Sequence, residues 1–141
     1  MTTDLAAGSI GARGASGART LLGLLRLTFG SLALLTPGTL VRRIEGPEAD
    51  SAAATYAFRM FGIRTVLLGR SLLATDDPGL PTALREAPII HASDTLTATL
   101  LTVTGKVPRR TGVSLIGVSG LNTVLALVAR RGLPPAANGE R

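Results

Sequence analysis

Four stretches dominated by apolar residues, separated by short polar clusters, organise this chain. The first runs over about 20–36 and stops at Pro37-Gly38, because proline cannot continue the helical hydrogen-bond ladder and glycine accepts a left-handed turn. A charged segment with Arg42, Arg43, Glu45, Glu48 and Asp50 follows and reads as an aqueous loop. Asp50 or Ser51 is a suitable N-cap for a second helix over about 52–74. Thr75-Asp76-Asp77-Pro78-Gly79 is a turn cluster. Pro81 or Thr82 starts a third helix over about 82–104, closed by Gly105. Arg85 and Glu86 place its first turns at an interface, and Pro88 marks a kink or the start of an embedded portion. A basic loop at 106–110 leads to a fourth helix over about 111–130. Residues 111–129 are 19 positions without a formal charge, close to the roughly 20 needed to cross a bilayer.

The flanks differ. Residues 1–19 are small, polar and rich in glycine, with too little apolar surface to offset the entropy of ordering, and read as a flexible tail. Arg13 and Arg19 ahead of an apolar stretch imitate a secretory signal, but Leu35-Thr36-Pro37-Gly38 offers no small-residue cleavage pattern, so an uncleaved first span is expected. Gly132 and Pro134-Pro135 end the fourth helix, and 132–141 reads as a second flexible tail.

The expected fold is therefore all-α: a four-helix transmembrane bundle of up-down-up-down topology. Gly30, Ser31, Gly62, Gly69, Gly117, Ser119 and Gly120 supply small side chains where helices in lipid must approach closely. The alternative is a soluble four-helix bundle, since the first three helices each carry charges; it predicts a polar stripe on every helix, and the fourth lacks one.

Composition strengthens the membrane reading. Hydrophobic residues make up 45% and charged residues 17%, against about 25% charged in soluble proteins. Mean hydropathy is +0.37. With three Phe, one Tyr and no Trp, the usual interfacial belt is nearly absent, which counts against it. The chain has no cysteine, so disulfides, thiolate metal sites and cysteine nucleophiles are excluded. The net charge of +6 is dispersed, and stacking aromatics are few, so nucleic acid is not an expected partner. The expected partners are the lipid bilayer and another membrane protein or a second copy. The basic loop at 106–110 and Arg130-Arg131 read as juxtamembrane charges. Seven basic residues fall on the side of the N-terminus and five on the other. Positive-inside logic then puts both termini in the cytoplasm and the chain, multi-pass, in the inner (plasma) membrane.

Five ionisable side chains stand out against this background: Arg26, Arg59, Arg64, His91 and Asp94, each flanked by apolar or small residues. One charge at the bilayer centre costs roughly 2.5–3.5 kcal/mol, so four formal charges standing alone would cost about 10 kcal/mol. They must pair, reach the interface or line a wet cavity. At 1.5 Å per residue, Arg26, His91 and Asp94 fall in one leaflet with Arg64 at its inner edge, and Arg59 can snorkel outward from the other half. Asp94 is the lone carboxylate in these apolar parts and is expected to pair with Arg26 or Arg64. His91, Thr95, Thr99 and Thr102 form a polar stripe expected to face the interior, where the threonine hydroxyls can bond back to the backbone or across to Ser119 and Asn122 of the fourth helix. The candidate binding set is Arg26, Arg59, Arg64, His91, Asp94 and Thr95. Two readings compete. One is an ion pair that fixes helix register. The other is a polar pocket that binds a small molecule, lipid or quinone, or passes a proton through His91. No catalytic set is recognisable, a single histidine supports no metal site, and no cofactor is implied.

Three segments resemble a family. Leu25-Arg26-Leu27-Thr28-Phe29-Gly30 with Thr36-Pro37 looks like its first span and proline end. Phe58-Arg59-Met60-Phe61-Gly62-Ile63-Arg64 with Leu68-Gly69 looks like its second helix. Ile90-His91-Ala92-Ser93-Asp94 looks like its third-helix acidic motif. Over about 20–130 the chain is similar to a group of small actinobacterial four-helix membrane proteins of unknown function, distantly DoxX-like. The resemblance implies an integral inner-membrane protein and no particular activity; DoxX-like relatives are only loosely associated with redox and stress complexes.

Overall fold

The computed structural model of the chain describes residues 2–133, with side chains from residue 11 onward. It contains five helices: α1 (Thr2–Leu35), α2 (Pro37–Glu45), α3 (Ala52–Leu73), α4 (Leu80–Val103) and α5 (Arg109–Arg130). Among the described residues there is no strand. The fold is all-helical, as the apolar pattern implies.

Two elements differ from that pattern. The segment after Pro37, read as an aqueous loop, opens with α2. Thr36 breaks the first helix (φ −127°, ψ 47°), but Pro37 has the fixed φ that suits a helix start, so the chain re-enters helix at once. Leu40, Val41 and Ile44 then share one face, and Val41 is fully buried, while Arg42, Arg43 and Glu45 face outward. Gly46 ends α2 at φ 116°, a backbone position that favours glycine, and its N–H donates to the Arg42 carbonyl at 3.0 Å. Second, α1 runs back to Thr2 through the segment that composition reads as a tail. Ala15 and Ala18 continue the face of Leu22; Ala15 is buried and lies close to Gly132 after α5. Alanine has the best helix propensity, and its small side chain allows close packing. The part of the C-terminal tail from 134 to 141 lies outside the described residues.

Local signals at the other helix ends are simple. The Ala54 N–H donates to Ser51 Oγ at 3.1 Å, capping α3. Gly105 turns the chain after α4 at φ 67°. Pro88 sits inside α4, buried, and the helix continues through it. In the turn between α3 and α4 the Gly79 N–H donates to Asp77 Oδ1 at 2.7 Å. That bond, then the Ser71 hydroxyl and the charge of Arg70, hold the Asp77 carboxyl below the ordinary aspartate range despite a small opposing desolvation.

Glycines set the tightest packing. On α1, Gly23 and Gly30 face Gly69 and Gly62 of the antiparallel α3. A Cβ at Gly62 would lie 2.6 Å from the Leu34 nitrogen and 2.8 Å from the Gly30 carbonyl oxygen. A Cβ at Gly69 would lie 3.0 Å from the Gly23 carbonyl oxygen. The seven-residue spacing on both helices keeps these contacts on one seam. On the other side α4 and α5 pack antiparallel, with Gly112 against the Thr102 side chain and Thr95 Oγ1 at 3.2 Å from Thr123 Oγ1. The helix α1 also packs on α5, whereas α3 and α4 touch only sparingly.

An apolar cluster closes one end of the molecule. It joins Leu22, Leu72, Ala83, Leu84, Ala87, Ala126 and Ala129, with Leu68 and Leu125 packed against it. The interior is otherwise made of small residues; Leu22, Leu72 and Val41 are its only large fully buried side chains among the described residues. Large apolar side chains point outward instead, including Leu24 and Leu32 on α1, Ile63 and Leu67 on α3, and Ile89 and Leu96 on α4. By length and composition two segments are apolar enough to cross a membrane: Gly11–Leu35 of α1, and α5. The arginines of α3, and His91, Asp94 and the threonines of α4, dilute the hydropathy of the other two long helices.

Candidate functional site

One turn beyond the apolar cluster, each long helix buries one polar side chain. They are Arg26 on α1, Thr65 on α3, His91 on α4 and Asn122 on α5, with 4%, 7%, 5% and 8% of their surfaces exposed. Register explains the layer. Arg26 follows Leu22 by four residues, His91 follows Ala87 by four, and Asn122 precedes Ala126 by four, so each lies on the same face as a cluster residue. Thr65 sits between Gly62 and Gly69 on the buried face of α3.

At the centre, Arg26 reaches across the interior from α1 and its Nη2 donates to His91 Nε2 at 2.7 Å. A guanidinium carries donors alone, so Nε2 must accept, and the ring proton of this neutral imidazole resides on Nδ1. That Nδ1 points to Asp94 Oδ2 at 3.6 Å, one turn along α4. The distance exceeds a hydrogen bond. It places a carboxylate on the outer side of the ring and a guanidinium on the inner side. The Asp94 side chain is 43% exposed. Thr95 completes the α4 part: its hydroxyl donates to the His91 carbonyl at 2.7 Å and meets Thr123 of α5. Thr99 and Thr102 likewise donate to carbonyls one turn back, which satisfies them within their own helix.

Of the six residues expected from the sequence, the structure brings together Arg26, His91, Asp94 and Thr95. Arg59 and Arg64 lie on the exposed side of α3, outside the layer. The expected direct pairing of Asp94 with Arg26 or Arg64 is corrected. His91 stands between Asp94 and Arg26, whose attraction acts through space, and among the described residues no carboxylate lies within 4.0 Å of Arg64. The reason is rotation about α4: Asp94 sits at the edge of the buried face, three residues past His91. The threonine hydroxyls bond back to the backbone, one of the two expected arrangements, and across the seam Thr95 meets Thr123 in place of Ser119 or Asn122. Thr65 and Asn122 were missed as site members because uncharged side chains carry no obvious insertion cost. The detectable signal for both was spacing: each repeats the helical period of neighbouring small buried residues.

Two buried polar atoms of the layer have no partner among the described residues, the donor Arg26 Nε and the acceptor Asn122 Oδ1. Two shallow surface concavities are present, one beside the layer at Thr95 and one remote from it. One is an open furrow between α4 and α5 lined by Ala92, Thr95, Leu96, Thr99, Gly120 and Thr123, and the other borders Arg109, Arg110 and Val113. Among the described residues no group of three or more His, Asp or Glu side chains is arranged to hold a metal ion. Chemically, the central row stabilises charge. Arg26 can neither accept nor release a proton at ordinary pH, so the ring nitrogen bonded to it is closed to proton transfer.

No protein-family model, no curated protein and no solved structure matches this chain.

Proposed function

We propose that the chain is a four-span integral protein of the inner (plasma) membrane, an up-down-up-down bundle with both termini cytoplasmic, acting as a structural or accessory subunit. The observation that carries this reading is the inverted distribution of side chains. Large apolar residues point outward from every long helix, while the inside holds mainly alanine, glycine and one polar side chain per helix, with Leu22, Leu72 and Leu84 at one end. In water such a surface is an association hazard; in lipid it is the expected exterior, and small residues are the expected seams. The row of buried Arg26 and His91, with Asp94 at its rim, then serves as a strut. It makes one ordering of α1 against α4 favourable and leaves other registers with an unneutralised ion. The closed proton position on His91 favours the strut over a proton path. Kinship with the DoxX-like actinobacterial group is part of this proposal and rests on the three sequence segments alone.

A second reading has its own support. The unpartnered Arg26 Nε and Asn122 Oδ1 favour a small polar molecule, or the polar end of a lipid or quinone, bound in the layer. The experiment that separates the two is complementation of a deletion strain by Arg26→Met/His91→Leu. A strut tolerates this matched apolar replacement, and the variant reaches the membrane and complements. A ligand site does not tolerate it; the variant reaches the membrane but fails to complement, and native mass spectrometry of the unaltered protein finds a bound small molecule.

A further inference from the structure

The seam between α3 and α4 changes character along its length. At the end near the connecting turn it is closed by Leu68 and Leu72 of α3 against Ala83, Leu84 and Ala87 of α4. Further along, the same strips present ions. Arg64 lies one turn before Leu68 on α3, and Asp94 lies two turns after Ala87 on α4. Counted from the apolar cluster, they are about 6 Å and about 10 Å up the seam, an offset that an arginine side chain spans. The seam is open here: α3 and α4 barely touch, Arg64 is exposed, and Asp94 is 43% exposed. Phe61 and Leu101, one turn and two turns from these ions, are exposed as well. Within one copy, among the described residues, Arg64 has no carboxylate within 4.0 Å, and the one basic side chain that close to Asp94 is the His91 imidazole, at 3.6 Å. An exposed, unpaired arginine near the middle of a span is the least tolerable feature of this surface in lipid.

We propose that the α3/α4 face is a self-association surface, on which Arg64 of one copy pairs with Asp94 of a second copy and the reciprocal pair forms across a two-fold axis. The proposal rests on the membrane reading above. Copies inserted in the same orientation are related by an axis along the membrane normal, so residues at similar depth meet. The face carries one cation and one anion at similar depth, which makes it neutral and complementary to itself. A different partner would have to reproduce both charges at the same spacing. Each pair joins a guanidinium to a carboxylate in a setting of low dielectric, where such contacts are strongest.

The chain contains no cysteine, so engineered thiols report cleanly. Two differently tagged copies, one carrying Arg64→Cys and the other Asp94→Cys, are co-expressed and oxidised in native membranes. One reciprocal Arg64/Asp94 pair stays intact in this arrangement. The expected product is a disulfide-linked species with both tags, absent when Val124→Cys on the outer face of α5 replaces either variant. An independent measurement uses unaltered cysteine-free protein: native mass spectrometry from mild detergent finds a dimer. Arg64→Asp alone weakens dimerisation at least about tenfold, and Arg64→Asp/Asp94→Arg restores it. The proposal is overturned if the unaltered protein is a monomer in detergent and in membranes. It is equally overturned if Arg64→Cys/Asp94→Cys in one chain closes an internal disulfide without any two-tag product. A membrane-extracted monomer defeats this proposal alone, whereas a chain that never enters the membrane defeats the bilayer reading beneath it.

Discussion

Replacing His91 by leucine isolates what the central row contributes. The change leaves Arg26, 4% exposed, as a buried cation whose one side-chain bond, at 2.7 Å to His91, is gone. Removing one partner of a buried charged contact costs about 3–5 kcal/mol. The reverse single change, Arg26→Met, leaves the neutral Nε2 acceptor buried and unpaired, which costs about 1–3 kcal/mol. Independent effects would therefore sum to about 4–8 kcal/mol, enough to abolish folding of a protein with ordinary stability. The paired replacement Arg26→Met/His91→Leu removes both the charge and the acceptor and keeps similar volume, so it should cost no more than about 1–2 kcal/mol. The coupling in the resulting double-mutant cycle is then at least about 2 kcal/mol. Reversible unfolding in detergent or bicelles, with titrated denaturing surfactant or steric trapping, measures all four corners. Additivity within about 0.5 kcal/mol would refute the reasoning, because it would mean that Arg26 and His91 do not neutralise each other's burial cost.

Four other outcomes follow from the geometry. Gly62→Ala should destabilise by about 1–3 kcal/mol, since its Cβ would meet backbone atoms of Leu34 and Gly30 at 2.6 and 2.8 Å and α1 and α3 would have to part. Gly120→Ala meets nothing within 4 Å and should be neutral or gain up to about 1 kcal/mol from helix propensity; thermal unfolding of the two variants decides. Asp77→Asn should remove acid sensitivity from the turn between α3 and α4. Its carboxyl is held low chiefly by the Gly79 N–H, so its contribution is complete above the unfolded aspartate value of about 3.9 and is lost as pH falls through the lower folded value. Amide exchange at Gly79, followed from pH 5 down to 2, reports this directly. Asn122→Leu should weaken binding of any small polar molecule held by the layer, read as loss of that mass from the native spectrum.

Much of the helical plan is legible from residue types alone, because it depends on local rules. Ser51 caps α3 through its own hydroxyl and Gly105 supplies a positive φ, and neither needs a distant partner. The helix α2 escapes the same rules: its three charges equal Leu40, Val41 and Ile44 in number, and only the positions of those three reveal a buried face. The extension of α1 escapes too, since glycine and alanine look like a linker until Ala15 and Ala18 acquire a neighbour in α5 and the residues after it. At the site, depth along each helix was readable from rise per residue, which is why Arg26 and His91 meet. Rotation was not. Three residues separate His91 from Asp94, and that step turns the carboxylate toward the rim while the ring points inward. Gly23, Thr65 and Asn122 lacked a charge to flag them. Their importance comes from backbone approach and burial, which no single helix encodes.

The claim on which the rest depends is that the outward apolar faces of all four long helices meet lipid. Alkaline carbonate extraction of membranes from cells expressing the full chain, followed by solubilisation with and without detergent, tests it most directly. The account predicts that the protein stays in the membrane pellet and becomes monodisperse only when detergent is added. Recovery of a monodisperse, fully helical protein from the carbonate supernatant in plain buffer would contradict it.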